Sequence, residues 1–159
     1  MVTPVSPLGV VVGKLVPYLV LAFVQLGLIL FLMTTAFKVP IHGSLLLLGL
    51  ATVYLLALLS LGMLVSTRAK TQAEAIQLAM SVMLPSVLLS GYIFPLASLP
   101  APIRALSQVL PATHFIAITR GIVLRAATFS DLWEHVAALG AISTVLVLVS
   151  SRAFKKTIS

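Results

Sequence analysis

Three acids, three histidines and no cysteine are the whole inventory from which this 159-residue chain could build an ionisable reaction centre. The acids are Glu74, Asp131 and Glu134, and the histidines are His42, His114 and His135. Each acid stands at the start of an expected helix, where capping and the positive end of the helix dipole account for it without catalysis. The histidines fall in separate segments, and no H-E-x-x-H pattern offers the paired imidazoles of a zinc hydrolase. Without cysteine, disulfides and thiolate metal sites are excluded. Glu134 and His135 are neighbours, but successive helical residues do not share a face. Ser90, His114 and Asp131 could be drawn together as nucleophile, base and acid, yet no spacing ties them to one another. No G-x-x-x-x-G-K-[ST] run is present, so the chain carries no P-loop for ATP. No catalytic, metal or cofactor residues are expected on this chain.

The elements that could position such groups are set by composition. The chain is 60% hydrophobic and 8% charged, with a mean hydropathy of +1.21. A soluble domain is nearer to about 45–50% apolar and about 25% charged. A chain of this size in water could not hide so much apolar surface, which excludes an ordinary soluble enzyme, a disordered chain and a coiled coil. At about 20 residues per crossing, the length accommodates four to six membrane helices. The net charge of +7 then reads as basic loops facing the cytoplasm and a lipid bilayer as partner; no nucleic acid is expected. No cleavable signal peptide is evident, since no positive region precedes the first apolar run.

Four spans are expected, at about 15–37, 45–65, 73–94 and 132–149. Pro17 falls in the first turn of the first run, where proline costs little. Lys38-Val39-Pro40-Ile41-His42-Gly43 forms a turn. The third span opens on Thr71-Gln72-Ala73-Glu74, a capping box in which the Thr71 hydroxyl serves the Glu74 amide and Glu74 reaches back. Pro85, near its middle, should kink it. The last span opens at Ser130-Asp131-Leu132-Trp133-Glu134, with Ser130 or Asp131 as cap and Trp133 at the interface.

Between the third and fourth spans, residues 95–129 change character. Pro95, Pro100, Pro102 and Pro111 break the segment, and Arg104, His114, Arg120 and Arg125 interrupt its apolar residues. A helix from about 112 to 126 is too short and too charged to span comfortably, so a re-entrant or interfacial pair of short helices is expected. Phe115, Ile118, Ile122 and Ala126 would share one face. Polar groups near membrane depth face protein or a water-filled path. His114, Arg120 and Arg125 are therefore the candidate residues of this outer segment. The two arginines could steer an anionic group, anchor to lipid phosphates, or simply snorkel to the headgroups.

An even number of spans places both termini on one side. With the termini in the cytoplasm, Lys14, Arg68, Lys70, Arg152, Lys155 and Lys156 lie inside. Lys38, Arg104, Arg120 and Arg125 then lie outside. The inside charges sit hard against span ends, which favours this orientation. Gly9/Gly13, Ala75/Ala79 and Ala137/Ala141 are small-x-x-x-small pairs, read as helix packing.

Several stretches, in order, carry a family resemblance. They are Thr3-Pro4-Val5-Ser6-Pro7 with Gly13-Lys14-Leu15-Val16-Pro17-Tyr18, and Leu61-Gly62-Met63-Leu64-Val65-Ser66-Thr67 with Thr71-Gln72-Ala73-Glu74-Ala75. They continue with Leu89-Ser90-Gly91-Tyr92-Ile93-Phe94-Pro95 with Leu99-Pro100, and Leu110-Pro111-Ala112-Thr113-His114-Phe115 leading to Arg120-Gly121-Ile122. The set resembles the C-terminal part of the permease subunit of ABC transporters of the type-2 exporter family. The resemblance implies a six-span membrane domain with a pair of short re-entrant helices on the outer side before its last span. It implies that the four spans seen are the third to sixth, with the first two spans and the cytoplasmic coupling helix absent from these 159 residues. It further implies two paired permease domains in the cell (inner or plasma) membrane, each with an ATPase subunit that binds and hydrolyses ATP while the permease passes substrate outward. Thr3, Pro4, Arg68 and Lys70 are the residues expected near that ATPase. The competing expectations are a membrane-embedded structural or assembly protein and an intramembrane enzyme.

Overall fold

The structure, a computed structural model, describes residues 7–38 and 43–157. Six helices follow one another: α1 (Pro7–Thr35), α2 (Ser44–Arg68), α3 (Gln72–Leu89), α4 (Ala101–Ser107), α5 (Pro111–Arg125) and α6 (Phe129–Thr157). A single 3-10 turn, Leu96–Ser98, lies between α3 and α4, and no strand occurs among the described residues. The expected all-α membrane protein is the architecture observed. Among the described residues, four stretches are long and apolar enough to cross a membrane: Val16–Thr35, Ser44–Arg68, Gln72–Leu89 and Phe129–Ala153.

Local chemistry explains most of the helix ends, including those that depart from expectation. α1 starts at Pro7, so Pro17 lies in its interior and not in its first turn; the residues before Leu15, although interrupted by Gly9 and Gly13, continue the same helix. At the start of α3, Thr71 Oγ1 accepts from the Glu74 amide at 3.2 Å. Glu74 reaches back one residue further than a standard capping box, its Oε2 accepting from the Lys70 amide at 2.9 Å. α3 stops at Leu89, short of the expected Phe94, because Gly91 adopts φ 84° and turns the chain out of the helix. Pro85 lies inside α3. The last helix opens at Phe129, two residues earlier than a Ser130 cap and three earlier than an Asp131 cap would have it. Thr128 holds the position before it, and both its amide (2.9 Å) and its hydroxyl (2.8 Å) donate to Asp131 Oδ2. Asp131 is thus the acid of the first turn and not the cap residue.

α2 is the hub, packing most extensively on α6 and then on α5, while α1 and α3 touch it more lightly. Its contact face carries Leu47, Leu50, Ala51, Ala57 and Ser60, all buried and spaced as one side of a helix. The opposing row on α6 is Leu132, Leu139, Ser143 and Ser150, also buried. Ser143 Oγ donates to the Val53 carbonyl of α2 at 3.2 Å, and small residues on both faces let the helices approach closely. Ile118 and Ile122 of α5 complete the core with Leu47, Leu50, Leu132 and Leu139, as the face of Phe115, Ile118 and Ile122 implied. Ala126, expected on that face, is instead the left-handed cap that ends α5, with φ 48°. The small-residue contacts fall at positions other than those expected. Ala137 and Ala141 are exposed, and Gly13 has no neighbour within 4 Å of where a side chain would begin.

Candidate functional site

Two features adjoin the first turns of α5. The first is a cleft of about 690 Å³ between α2 and α3. The two helices are joined by the short turn at Ala69–Thr71 and bridged at the other end by the first turns of α5. Tyr54, Leu58 and Gly62 line the α2 side, Ala79 and Met83 the α3 side, and Ile116 the α5 side. The Ala75/Ala79 pair thus faces the cleft and not another helix. Its walls are almost wholly apolar, and its polar atoms are few. The Ser86 and Ser90 hydroxyls at its edge donate back to their own helix, to Val82 O at 2.7 Å and Val87 O at 2.9 Å. A surface of this kind can hold a hydrophobic molecule by area of contact.

The second feature is polar and lies where α5 meets α6. Pro111 sets the first turn of α5 and sends the residues from Pro111 to His114 inward, all buried. His114 is 5% exposed. Its Nε2 lies 2.8 Å from the Gln108 carbonyl, and its Nδ1 lies 3.3 Å from Nδ1 of His135 on α6. The two rings are tilted by 49° with centroids 5.5 Å apart. Next to His114, Phe115 stacks on Tyr54 of α2, with centroids 4.3 Å apart and planes within 6°. The helix α5 is therefore gripped on two sides at its first turns.

Of the residues expected in the outer segment, the structure brings none of the three together. His114 is not on the surface with the arginines but inside, against α6. Arg120 is exposed, and its Nη2 donates to the Tyr92 carbonyl at 3.2 Å, tying α5 to the turn after α3. Arg125 is exposed in the last turn of α5, where a cation meets the negative end of the helix dipole. Arg68 ends α2, and Lys70 is exposed in the turn that follows. Thr3, Pro4 and His42 lie outside the described residues. Ser90, His114 and Asp131 each spend their polar atoms on other partners. Among the described residues, no group of three or more His, Cys, Asp or Glu side chains is placed to hold a metal.

The His114–His135 pair is the feature that sequence reasoning missed. The two residues are separated by the end of one helix, a turn and the start of another, so neither helical nor strand periodicity relates them. Both lie on the inward faces of their helices, but only the fold-back of α5 on α6 opposes those faces.

Comparison with known proteins supplies the context. A sequence profile of the family described as "ABC-2 family transporter protein" matches residues 1–152. The "Inner membrane transport permease YhhJ" of Escherichia coli (strain K12) is 32% identical over 161 aligned positions, covering 99% of this chain and 43% of that protein. The "Probable multidrug ABC transporter permease YbhR" of the same organism is 33% identical over 135 residues, covering 84% of this chain and 37% of YbhR. "ABC transporter G family member 20" of Dictyostelium discoideum is 34% identical over 144 residues, or 89% of this chain and 20% of that protein. The chain thus spans less than half the length of these curated relatives. No solved structure matches it.

Proposed function

This chain belongs to the ABC-2 family of transporter proteins, and from that premise we propose that it is the permease component of an ATP-driven exporter. It forms part of the translocation path in the cell membrane while a partner subunit binds and hydrolyses ATP. The observation that carries the reading is the match of the family profile to residues 1–152 on a chain with four helices of membrane-spanning length.

In this reading both termini are cytoplasmic, and a second permease copy or homologous half completes the domain. The turn between α2 and α3 then faces the cytoplasm with Arg68 and Lys70 exposed, and it is a contact for the ATPase together with Thr3 and Pro4. Bound lipid surrounds the apolar exterior. A substrate for the cleft between α2 and α3 is hydrophobic and uncharged, because the lining offers no countercharge. The word "multidrug" in the names of relatives such as YbhR accords with that class. Affinity purification of the chain from its native membrane in mild detergent tests the proposal. A stoichiometric ABC ATPase is the expected companion, and Arg68→Glu with Lys70→Glu should weaken its retention. Purification free of any ATPase, with no ATP-dependent transport in vesicles, overturns it.

A further inference from the structure

The geometry points to His114 and His135 forming a proton-sensitive clamp that holds the short helix α5 on the last helix α6 with either no excess proton or one, and that releases when both rings are charged.

Hydrogen-bond accounting leads to it. A carbonyl oxygen can only accept, so the 2.8 Å contact to Gln108 requires the hydrogen on Nε2 of His114. Neutral His114 then has a bare Nδ1. That atom faces Nδ1 of His135 at 3.3 Å, so the hydrogen between the rings belongs to His135. The ring centroids, 5.5 Å apart, place the two Nδ1 atoms nearly on the line between the rings. The Gln108 carbonyl therefore dictates the tautomer of both histidines, and the free lone pair of the pair sits on Nε2 of His135.

One added proton enters at that lone pair without disturbing any bond. The bridge between the rings becomes charge-assisted and stronger. A second proton has only one place to go, Nδ1 of His114, where the acceptor of the bridge is lost. Two Nδ1–H groups on two cations would then oppose each other across 3.3 Å. The clamp therefore tolerates the first proton and is broken by the second.

The surroundings do not supply a substitute partner. Arg125 on α5 and Glu134 on α6 are exposed, with their charged ends in solvent. Tyr54, the titratable side chain that α2 brings nearest to this turn, is stacked on Phe115. Arg104 on α4 is exposed. What the clamp joins is substantial: Gln108 caps the end of α4, His114 is in the first turns of α5, and His135 is in the second turn of α6. Its release frees the short-helix segment from the last helix at that point. The inference concerns the fold of the chain and holds independently of the transport reading.

The clamped state accepts the first proton and refuses the second, which two separated rings would both bind, so its stability falls as pH drops through the range in which the second ring would charge. The test is thermal unfolding of the full chain in phosphatidylcholine nanodiscs between about pH 8 and about pH 5, the range that brackets free imidazole. The native chain should lose melting temperature on the acid side. His135→Gln, whose side-chain amide can donate to neutral His114 or turn and accept from charged His114 through its oxygen, should flatten that loss. Equal acid sensitivity in the two proteins overturns the inference. Nitrogen-15 NMR of histidine-labelled native chain needs no variant. It should show one Nε2–H ring and one Nδ1–H ring near neutral pH, followed by two separated charging steps. Two Nε2–H rings, or a single shared step, overturn the inference as firmly.

Discussion

At Gly121 a side chain of α6 packs directly on the backbone of α5. A side-chain carbon added there would lie 2.8 Å from Cδ2 of Leu132, itself only 3% exposed. Gly121→Val should therefore cost about 1–3 kcal/mol through overpacking, read as a lower melting temperature in detergent. Leu132→Ala in the same chain should recover part of that loss, because the two sites share one space. Thr113, one residue before the histidine clamp, is 1% exposed, and its hydroxyl has no hydrogen-bond partner among the described residues. Thr113→Val keeps the shape and removes the unsatisfied oxygen, so it should stabilise the chain by about 1 kcal/mol. At this scale the sequence was a partial guide. Asp131 and Glu74 could be read as helix-start acids from their positions, because capping depends on near neighbours in the chain. The inward turn of His114 and the need for glycine at 121 depend on where α6 lies, and no local pattern carries that information.

Among the elements, α3 is the one whose boundaries are most plainly chemical. Thr71 and Glu74 close its start and Gly91 ends it. Thr71→Ala should destabilise by about 1 kcal/mol, and Thr71→Ser should restore the loss, both measured by thermal unfolding. The apolar run itself continues to Phe94, which is why hydropathy alone overestimates the helix; a left-handed glycine is a backbone event that hydropathy does not register. The reverse holds for α1, where helix precedes the strongly apolar run. α5 was the element best anticipated in position, since Pro111 at its first turn and the change in composition after it are both local signals. Its role as a packing partner of α2 and α6 was visible only as the spacing of Phe115, Ile118 and Ile122.

For the whole molecule, the core gathers α2, α5 and α6 into one body, with α1 and α3 held at its edges. If residues 95–129 dip into one face of the membrane and return, Ala101→Cys and Ala126→Cys, introduced singly into this cysteine-free chain, should both react with an impermeant thiol reagent from the same side. Reaction of the two from opposite sides would mean that the segment crosses. The last helix carries a further consequence. Its buried row of Leu132, Leu139, Ser143 and Ser150 meshes with α2, and the Ser143 bond to Val53 sets the alignment. The next equivalent seating of such a row lies a full helical turn away, about 5.4 Å. Gradual sliding of α6 along α2 would pass through settings that fit neither, so in any working cycle the two helices travel as a single lever or shift by a whole notch.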